Sequence, residues 1–264
     1  MDFVGQERLL SEINGYSQRN MPHSILLIGE EGCGKRTIVK YIANRLNMEL
    51  IELDSSTEAD KIISCQQSAL KSLYLIDLTK LRLDKDQNRF LKFVEEPSSN
   101  AYVVLTSPTD AGILPTIANR CVRLDFEPYT TEQLKQIKKL CDDRMYEVYR
   151  TPGQLASASE ASFFDMLKLC ETIVSKIGAA SYSNTISVAT KINYKDQYGK
   201  FDFFAFLRLL EKTAAKTYTE NGSKTALRVY VCVADRLKKF TRNGSLAKEP
   251  FMISLLDDLW KETR

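Results

Sequence analysis

The chain has 264 residues, of which 44% are hydrophobic and 27% charged, the balance of an ordinary globular protein with a sizeable core. No uncharged apolar run is long enough to span a membrane, and the N-terminus carries acidic residues without an apolar signal core, so we expect a cytoplasmic protein without a membrane partner. The net charge of +3 permits contact with nucleic acid but does not by itself indicate it.

The cysteines argue against a metal site. The six cysteines are spread singly, with no pair at CxxC spacing, and the chain has one histidine. A structural zinc site needs four clustered sulfur or imidazole ligands. We therefore expect no metal ligands and reduced thiols.

Short β-rich segments alternate with helix-like segments through the first half of the chain. Five of them are predicted strands: Ser24–Gly29, Glu49–Asp54, Leu73–Leu78, Tyr102–Ser107 and Cys121–Phe126. Several are almost wholly apolar, which is typical of strands buried on both faces of a parallel sheet. The pattern predicts an α/β domain with a five-stranded parallel sheet over residues 1–126.

The first predicted strand leads into a glycine-rich loop, GEEGCGKRT, and then into a helical pattern. Its Gly29, Gly34 and Lys35 match the phosphate-binding motif GxxxxGK, and Gly32 is a further glycine within the loop. In this setting backbone N–H groups and the helix N-terminus face the phosphates, and the lysine pairs with the outer ones. The loop predicts a site for ATP or ADP with magnesium.

Two positions that hydrolysis needs are changed. The motif requires Ser or Thr after the lysine, to place a hydroxyl on magnesium, and this chain has Arg36. Thr37 comes one residue later, a rotation of about 100° around a helix. Asp77 ends the third predicted strand and is placed to hold the magnesium shell, but Leu78 follows where an acid would activate water. The sequence predicts weakened nucleotide binding and no hydrolysis.

Both parts of the site also have a structural interpretation. The glycines and Lys35 are compatible with a relic that only holds the turn. Asp77 is compatible with a residue that caps or hydrogen-bonds the loop. No cofactor is therefore assigned with certainty.

After Phe126 the β signal stops. Thr130 followed by Gln133 is a capping-box pattern that predicts the start of a helix. One apolar helical stripe is expected to follow at Leu134, Ile137, Cys141 and Val148. These features predict a helical lid domain over residues 127–177.

The small, polar stretch Gly178–Asn193 predicts a linker or domain boundary. Helical patterns follow at Phe201–Ala215 and Ser223–Phe240. Within the second, Leu227–Val233 is apolar except for Arg228, so we expect that helix to be buried among others. Residues 178–264 are predicted to form an all-α domain.

Five segments match motifs of one family: Phe3-Val4-Gly5-Gln6, Met21-Pro22-His23-Ser24, Asp77-Leu78-Thr79-Lys80-Leu81, QNRFLKFVEEP from Gln87 to Pro97, and LPTIANRC from Leu114 to Cys121. They resemble the clamp-loader branch of AAA+ proteins, and most closely the delta-prime subunits of bacterial DNA polymerase III. The resemblance covers roughly residues 3–155 and is vaguer beyond. It implies an AAA+ nucleotide-binding-like domain, a helical lid and a C-terminal helical collar.

The resemblance also implies roles for particular residues. Arg120 matches the arginine finger that enters the ATP site of a neighbouring subunit, although Asn119 replaces the family's serine before it. Arg89 lies on a helix that would face DNA, where phosphate contacts give affinity without reading sequence. Thr151-Pro152-Gly153-Gln154 resembles the sensor-2 motif SPGR, with Gln154 in place of the arginine that contacts nucleotide. The zinc module of many bacterial members is absent.

Together these matches imply a non-hydrolysing subunit of a hetero-oligomeric clamp loader in DNA replication. Its partners would be other loader subunits, the sliding clamp and primed DNA. Two other functions stay open. An active AAA+ ATPase would use Thr37 and another acid in place of the missing groups, and an adaptor would keep the fold for protein contacts alone. Arg120 is also compatible with a plain surface salt bridge.

Overall fold

A computed structural model of the chain describes residues 3–54, 70–81, 84–191, 202–243 and 248–263. The chain falls into two compact units. The first comprises Met1–Lys139 and Arg150–Ala156, and the second comprises Leu140–Tyr149 and Ser157–Arg264. The predicted lid, residues 127–177, is therefore divided between the units, and the predicted boundary at residue 178 lies inside the second.

Five parallel strands form the sheet of the first unit: β1 (Ser24–Ile28), β2 (Glu49–Leu53), β3 (Ser72–Asp77), β4 (Ala101–Ser107) and β5 (Val122–Asp125). Their order is β2-β3-β4-β1-β5. The predicted five-stranded parallel sheet is confirmed, with ends that differ by one residue. Because β1 lies between β4 and β5, the glycine-rich loop begins in the interior of the sheet's carboxyl edge.

Helices account for most of the remaining described residues. They are α1 (Glu7–Gly15), α2 (Lys35–Arg45), α3 (Asp84–Glu95), α4 (Pro115–Ala118), α5 (Thr131–Ile137), α6 (Arg144–Val148), α7 (Pro152–Ser157), α8 (Glu160–Lys176), α9 (Tyr182–Lys191), α10 (Phe203–Asn221), α11 (Lys224–Asn243) and α12 (Lys248–Glu262). A 3₁₀ turn follows β3 at Leu78–Lys80.

The sheet is buried on both faces, which explains its continuous apolar strands. Alternate strand residues such as Leu27 and Val104 belong to one core with the buried residues of α1 and α2. The intervening residues, such as Leu26 and Val103, belong to a second core with the buried aromatic residues of α3. The period-two alternation therefore serves two hydrophobic layers at once.

The helix after β5 is shorter than predicted. The Thr130–Gln133 capping box is present, and it begins α5. The prediction of a single apolar helical stripe through Val148 is wrong, because α5 ends before Lys138, whose backbone is extended. Ile137 and Cys141 are exposed. A separate turn, in which Asp142 accepts from the backbone and guanidinium of Arg144, begins α6.

The second unit consists of packed helices, and the predicted linker at 178–193 is wrong for its described residues. Residues Tyr182–Lys191 form α9, which packs against α12. The Tyr182 ring meets the Trp260 ring edge-on at 5.0 Å, and the Trp260 indole donates to Ala180 O. Thr185 is buried, and its hydroxyl donates to Ser181 O, so its polar atom is satisfied within the helix. Tertiary packing thus overrides a weak local helix signal.

The helix expected to be buried among others, α11, packs against its neighbours with one face only. Ala226, Val229 and Val233 are buried, and the helix packs against α10 and α12. Val231 is 55% exposed, and Leu227 and Tyr230 are also partly open to solvent. Its neighbours therefore cover one face of α11 and leave the other uncovered.

No helix in the described ranges combines the length and apolar character needed to cross a membrane. Among the same residues, no group of three or more histidine, cysteine, aspartate or glutamate side chains is arranged to hold a metal ion.

A buried glutamine ties α3 to the segment that precedes α4. The amide of Gln87 donates to Gly112 O at 2.6 Å and accepts from Leu114 N at 3.1 Å. The side chain is 3% exposed, so these bonds are shielded from water. Gln87 therefore fixes the approach to the LPTIANRC segment that ends in Arg120.

We predict that Gln87→Leu lowers the free energy of unfolding by about 2 kcal/mol, because it removes both hydrogen bonds that this buried side chain makes to the backbone of Gly112 and Leu114. Urea unfolding measures this loss. Asn88→Ala, at the exposed neighbouring position, is the control and should change stability by less than about 0.5 kcal/mol. Equal stability of the two variants would contradict the clamping role of Gln87.

Candidate functional site

The glycine-rich loop lies where the sheet ladder ends. Gly29 N donates to Ser107 O, and Phe126 N donates to Ile28 O, so both neighbouring strands hold the base of the loop. The helix α2 begins at Lys35, directly after Gly34. The predicted strand, loop and helix are therefore present in the right order. Nucleotide binding by Gly29, Gly32, Gly34 and Lys35 stays a prediction.

The loop lysine bonds to the loop itself. Lys35 Nζ donates to Gly29 O and, at 3.1 Å, to Glu30 O. Cys33 Sγ lies 3.9 Å from the same ammonium. Burial raises the pKa of the Cys33 thiol, and the nearby Lys35 charge only partly opposes this effect, so Cys33 is a neutral thiol at neutral pH. A phosphate at this loop would compete with carbonyl oxygens for Lys35.

The position that needs a hydroxyl is committed to an ion pair. Arg36 is exposed and bonds to the carboxylate of Glu52 on β2. Thr37 is exposed two residues into a helix that begins at Lys35, so its side chain keeps the rotated direction expected from the sequence. Arg36 offers no hydroxyl for magnesium, and a magnesium-binding role for Thr37 stays a prediction.

The two residues at the end of β3 that should bind magnesium and activate water, Asp77 and Leu78, make structural contacts. The carboxylate of Asp77 accepts from Thr79 N at 3.0 Å and from Thr79 Oγ1 at 2.7 Å, which caps the 3₁₀ turn. Leu78 is 6% exposed and belongs to the core beneath the sheet, with Phe93. The contacts of Asp77 with Thr79 therefore support its structural interpretation. The position where an acid would activate water is occupied by a core residue, Leu78.

The segment after Arg150 covers the glycine-rich loop. Thr151 Oγ1 donates to Glu31 O at 2.8 Å, and Gly153 N donates to Gly32 O at 2.9 Å. Gln154 Nε2 donates to the Glu30 carboxylate at 3.1 Å. The sequence indicated Gln154 as a lost nucleotide contact, but it gave no signal for the partner, Glu30.

The N-terminal motif is held by residues that the sequence did not single out. Gln6, which is buried, donates to Glu127 O and accepts from Glu127 N. The Tyr129 hydroxyl donates to Cys33 O at 2.9 Å. Burial is the main reason that the pKa of Tyr129 rises to about 12, so this donor keeps its proton at neutral pH. The segment after β5 thus connects the N-terminal motif to the glycine-rich loop.

Arg120 lies on the surface just after α4. Its guanidinium donates to Thr116 O at 2.7 Å and pairs with the Glu95 carboxylate at 2.9 Å. The side chain is 35% exposed, so water screens this pair, and such pairs contribute only about 0.2–1 kcal/mol. Arg120 therefore has the ion-pair partner that the salt-bridge interpretation requires, but this exposed pair contributes little to stability. Arg89 is exposed on α3.

Comparisons with known proteins agree with the motifs. A family model described as "DNA polymerase III, delta subunit" matches residues 61–130. The tau subunit of DNA polymerase III from Bacillus subtilis is 24% identical over 213 residues, covering 67% of this chain and 38% of that protein. The Escherichia coli tau subunit is 27% identical over 210 residues, covering 66% of this chain and 32% of that protein. The chain thus spans about a third of the length of these relatives.

Two further similarities are more limited. The sliding-clamp-loader large subunit of Escherichia phage RB69 is 26% identical over 144 residues, covering 50% of this chain and 44% of that protein. A solved structure of a gamma subunit-related protein of DNA polymerase III from Thermotoga maritima aligns with a TM-score of 0.49 at 15% identity, covering 98% of this chain and all of that one.

The matches to the family model, to the tau subunits and to the phage loader subunit confirm the resemblance to AAA+ clamp-loader subunits that the motifs predicted. The closer resemblance to delta-prime subunits stays a prediction, because the relatives named above are tau subunits and a phage large subunit. The roles of the individual site residues stay predictions as well.

We predict that Leu78→Glu, which restores an acid after Asp77, lowers the free energy of unfolding by about 3 kcal/mol or more. The change removes a buried aliphatic side chain and places a carboxylate in its core. Leu78→Met, which keeps the volume and the apolar character, should cost less than about 1.5 kcal/mol. Urea unfolding compares the two. A Glu variant as stable as the Met variant would show that position 78 opens towards water.

Proposed function

We propose that this chain is a non-hydrolysing subunit of a DNA sliding-clamp loader, which presents Arg120 to the ATP site of a neighbouring subunit. In this role the chain supplies a charge in trans and completes no chemistry of its own. The observation that carries the proposal is a nucleotide site in which Arg36, Leu78 and Gln154 stand at positions that need other groups, together with a surface arginine, Arg120, in a matching family motif.

The contacts at the nucleotide site support the absence of hydrolysis. Arg36 is engaged with Glu52, and Leu78 lies in a hydrophobic core. Gln154 bonds to Glu30 on the loop itself. Hydrolysis needs a magnesium ligand, a group that orients water and a charge on the outer phosphates, and these three side chains supply none of them. Weak binding of ATP or ADP through Lys35 and the loop amides is compatible with this arrangement.

The position of Arg120 supports a role in trans. Arginine suits this task because its planar guanidinium stays charged and can hold two phosphate oxygens at once. The Glu95 carboxylate and the Thr116 carbonyl engage two of its nitrogen atoms, which leaves further N–H groups for a phosphate. A finger of this kind is worth about 10³–10⁵ in rate in phosphoryl-transfer enzymes.

Similarity to clamp-loader subunits supports the choice of machine. The partners would be other loader subunits, the clamp and primed DNA, and Arg89 on α3 would contact DNA phosphates in that complex. An active ATPase is the alternative function, and the intact strand, loop and helix around Lys35 favour it. The two functions differ in whether the isolated chain turns over ATP.

The isolated chain should show no ATPase activity above background, because residues 36, 78 and 154 lack the groups for the reaction. Phosphate release in the presence of magnesium measures this directly. A turnover on the order of 1 per second that Lys35→Ala abolishes would support the ATPase alternative.

Arg120→Ala should leave the chain folded and able to join its complex, but the DNA- and clamp-stimulated ATPase of the complex should fall by about tenfold or more. The loss is expected because the neighbouring site loses a charge that is used mainly in the transition state. Arg120→Lys should restore little, because a lysine cannot make two parallel bonds to phosphate oxygens.

Two variants separate this role from a structural one. Arg123→Ala removes a nearby exposed arginine that pairs with Asp110 and Asp125, and it should leave the ATPase unchanged. Glu95→Ala removes the partner of Arg120 but keeps the finger. If Glu95→Ala reduces the ATPase as much as Arg120→Ala does, the ion pair and not the finger is the important feature.

A further inference from the structure

Direct hydrogen bonds join the glycine-rich loop to the segment Arg150–Ala156. Thr151 and Gly153 donate to consecutive backbone carbonyls of the loop, those of Glu31 and Gly32. The approach is so close that a Cβ on Gly153 would lie 2.7 Å from Gly32 Cα. A Cβ on Gly32, whose φ is +81°, would lie 2.7 Å from Thr151 Oγ1. Neither glycine can therefore carry a side chain without separating the two segments.

The oxygen and the nitrogen of the Gln154 side-chain amide each make a hydrogen bond. Its Oε1 accepts from Arg150 N at 2.8 Å, and its Nε2 donates to the Glu30 carboxylate. An arginine at this position has only donors and would lose the bond from Arg150 N, whereas a glutamate has only acceptors and would repel Glu30. Among these three residue types, only glutamine satisfies both partners.

Glu30 is held on two sides. Its backbone carbonyl accepts from Lys35, and its carboxylate accepts from Gln154. A phosphate that draws Lys35 away from the Glu30 carbonyl would leave the carboxylate contact in place. The bond that closes the loop is therefore separate from the bond that a nucleotide would compete for.

We propose that Glu30 and Gln154 form a latch that holds the segment Arg150–Ala156 on the glycine-rich loop whether or not a nucleotide is bound. The Glu30 carboxylate is the anionic group to which the segment is bonded, through Gln154. The position of this segment then carries no information about nucleotide state. This inference does not depend on the role of Arg120.

Hydrogen exchange of the Gly153 amide, followed by NMR on the full chain, tests the latch because this N–H donates to Gly32 O. In the nucleotide-free protein the amide should be protected, and millimolar ADP with magnesium should not change its rate. Glu30→Ala and Gln154→Glu should each speed its exchange about fivefold, the effect expected for one hydrogen bond. The β4 amides of each variant report whether the fold is intact.

Glu31→Ala is the matched control, because it removes a neighbouring, exposed carboxylate and keeps the backbone carbonyl that Thr151 bonds. Its Gly153 amide should exchange at the wild-type rate. If Glu30→Ala fails to fold, Glu30→Met removes the acceptor at similar size and should speed the exchange of the Gly153 amide in the same way. The latch is excluded if Gly153 becomes protected only when ADP is added. It is also excluded if the Glu30 and Glu31 variants exchange alike.

Discussion

The position of β1 between β4 and β5 is the constraint on which the site depends. Neighbouring strands bond to the last residues of β1 on both sides, and the chain turns at Gly29 into the loop and α2. The same edge receives the exits of β3 and β4, which bring Asp77 and Ser107 to it. The sequence thus places a phosphate-type loop and its neighbouring strand ends together, independently of whether the chemistry remains.

Local and periodic features of the sequence were sufficient for the sheet of the first unit and for the start of α5. Its strands are apolar because two cores need them, and the Thr130–Gln133 capping box is satisfied within four residues. The wrong predictions concern segments whose structure depends on tertiary packing. The 178–193 stretch looks like a linker by composition, but Trp260, far away in sequence, packs against Tyr182 in α9. The exposed face of α11 depends likewise on which helices surround it.

The candidate site shows the same division. The motif identified which chemical groups are missing, since a hydroxyl or a carboxylate is either present in the sequence or absent. It could not show what replaced them, because Glu52 for Arg36 and Glu30 for Gln154 are contacts between residues distant in sequence. Each of the three positions makes a contact within the protein: Arg36 with Glu52, Leu78 with the core that includes Phe93, and Gln154 with Glu30. Arg120 has a surface partner as well, Glu95, and water screens that ion pair as it screens the pair of Arg36 with Glu52.

The central claim is that Arg120 acts on a neighbour's nucleotide and that its charge is used in the transition state. The most direct measurement is the affinity of the neighbouring ATP site, in the assembled complex, for ADP with aluminium fluoride, a mimic of the transferring phosphoryl group, compared with ADP alone. The account predicts that Arg120→Ala weakens binding of the mimic by about tenfold or more and leaves ADP binding unchanged. Equal binding of the mimic by the wild-type and Arg120→Ala complexes would contradict it.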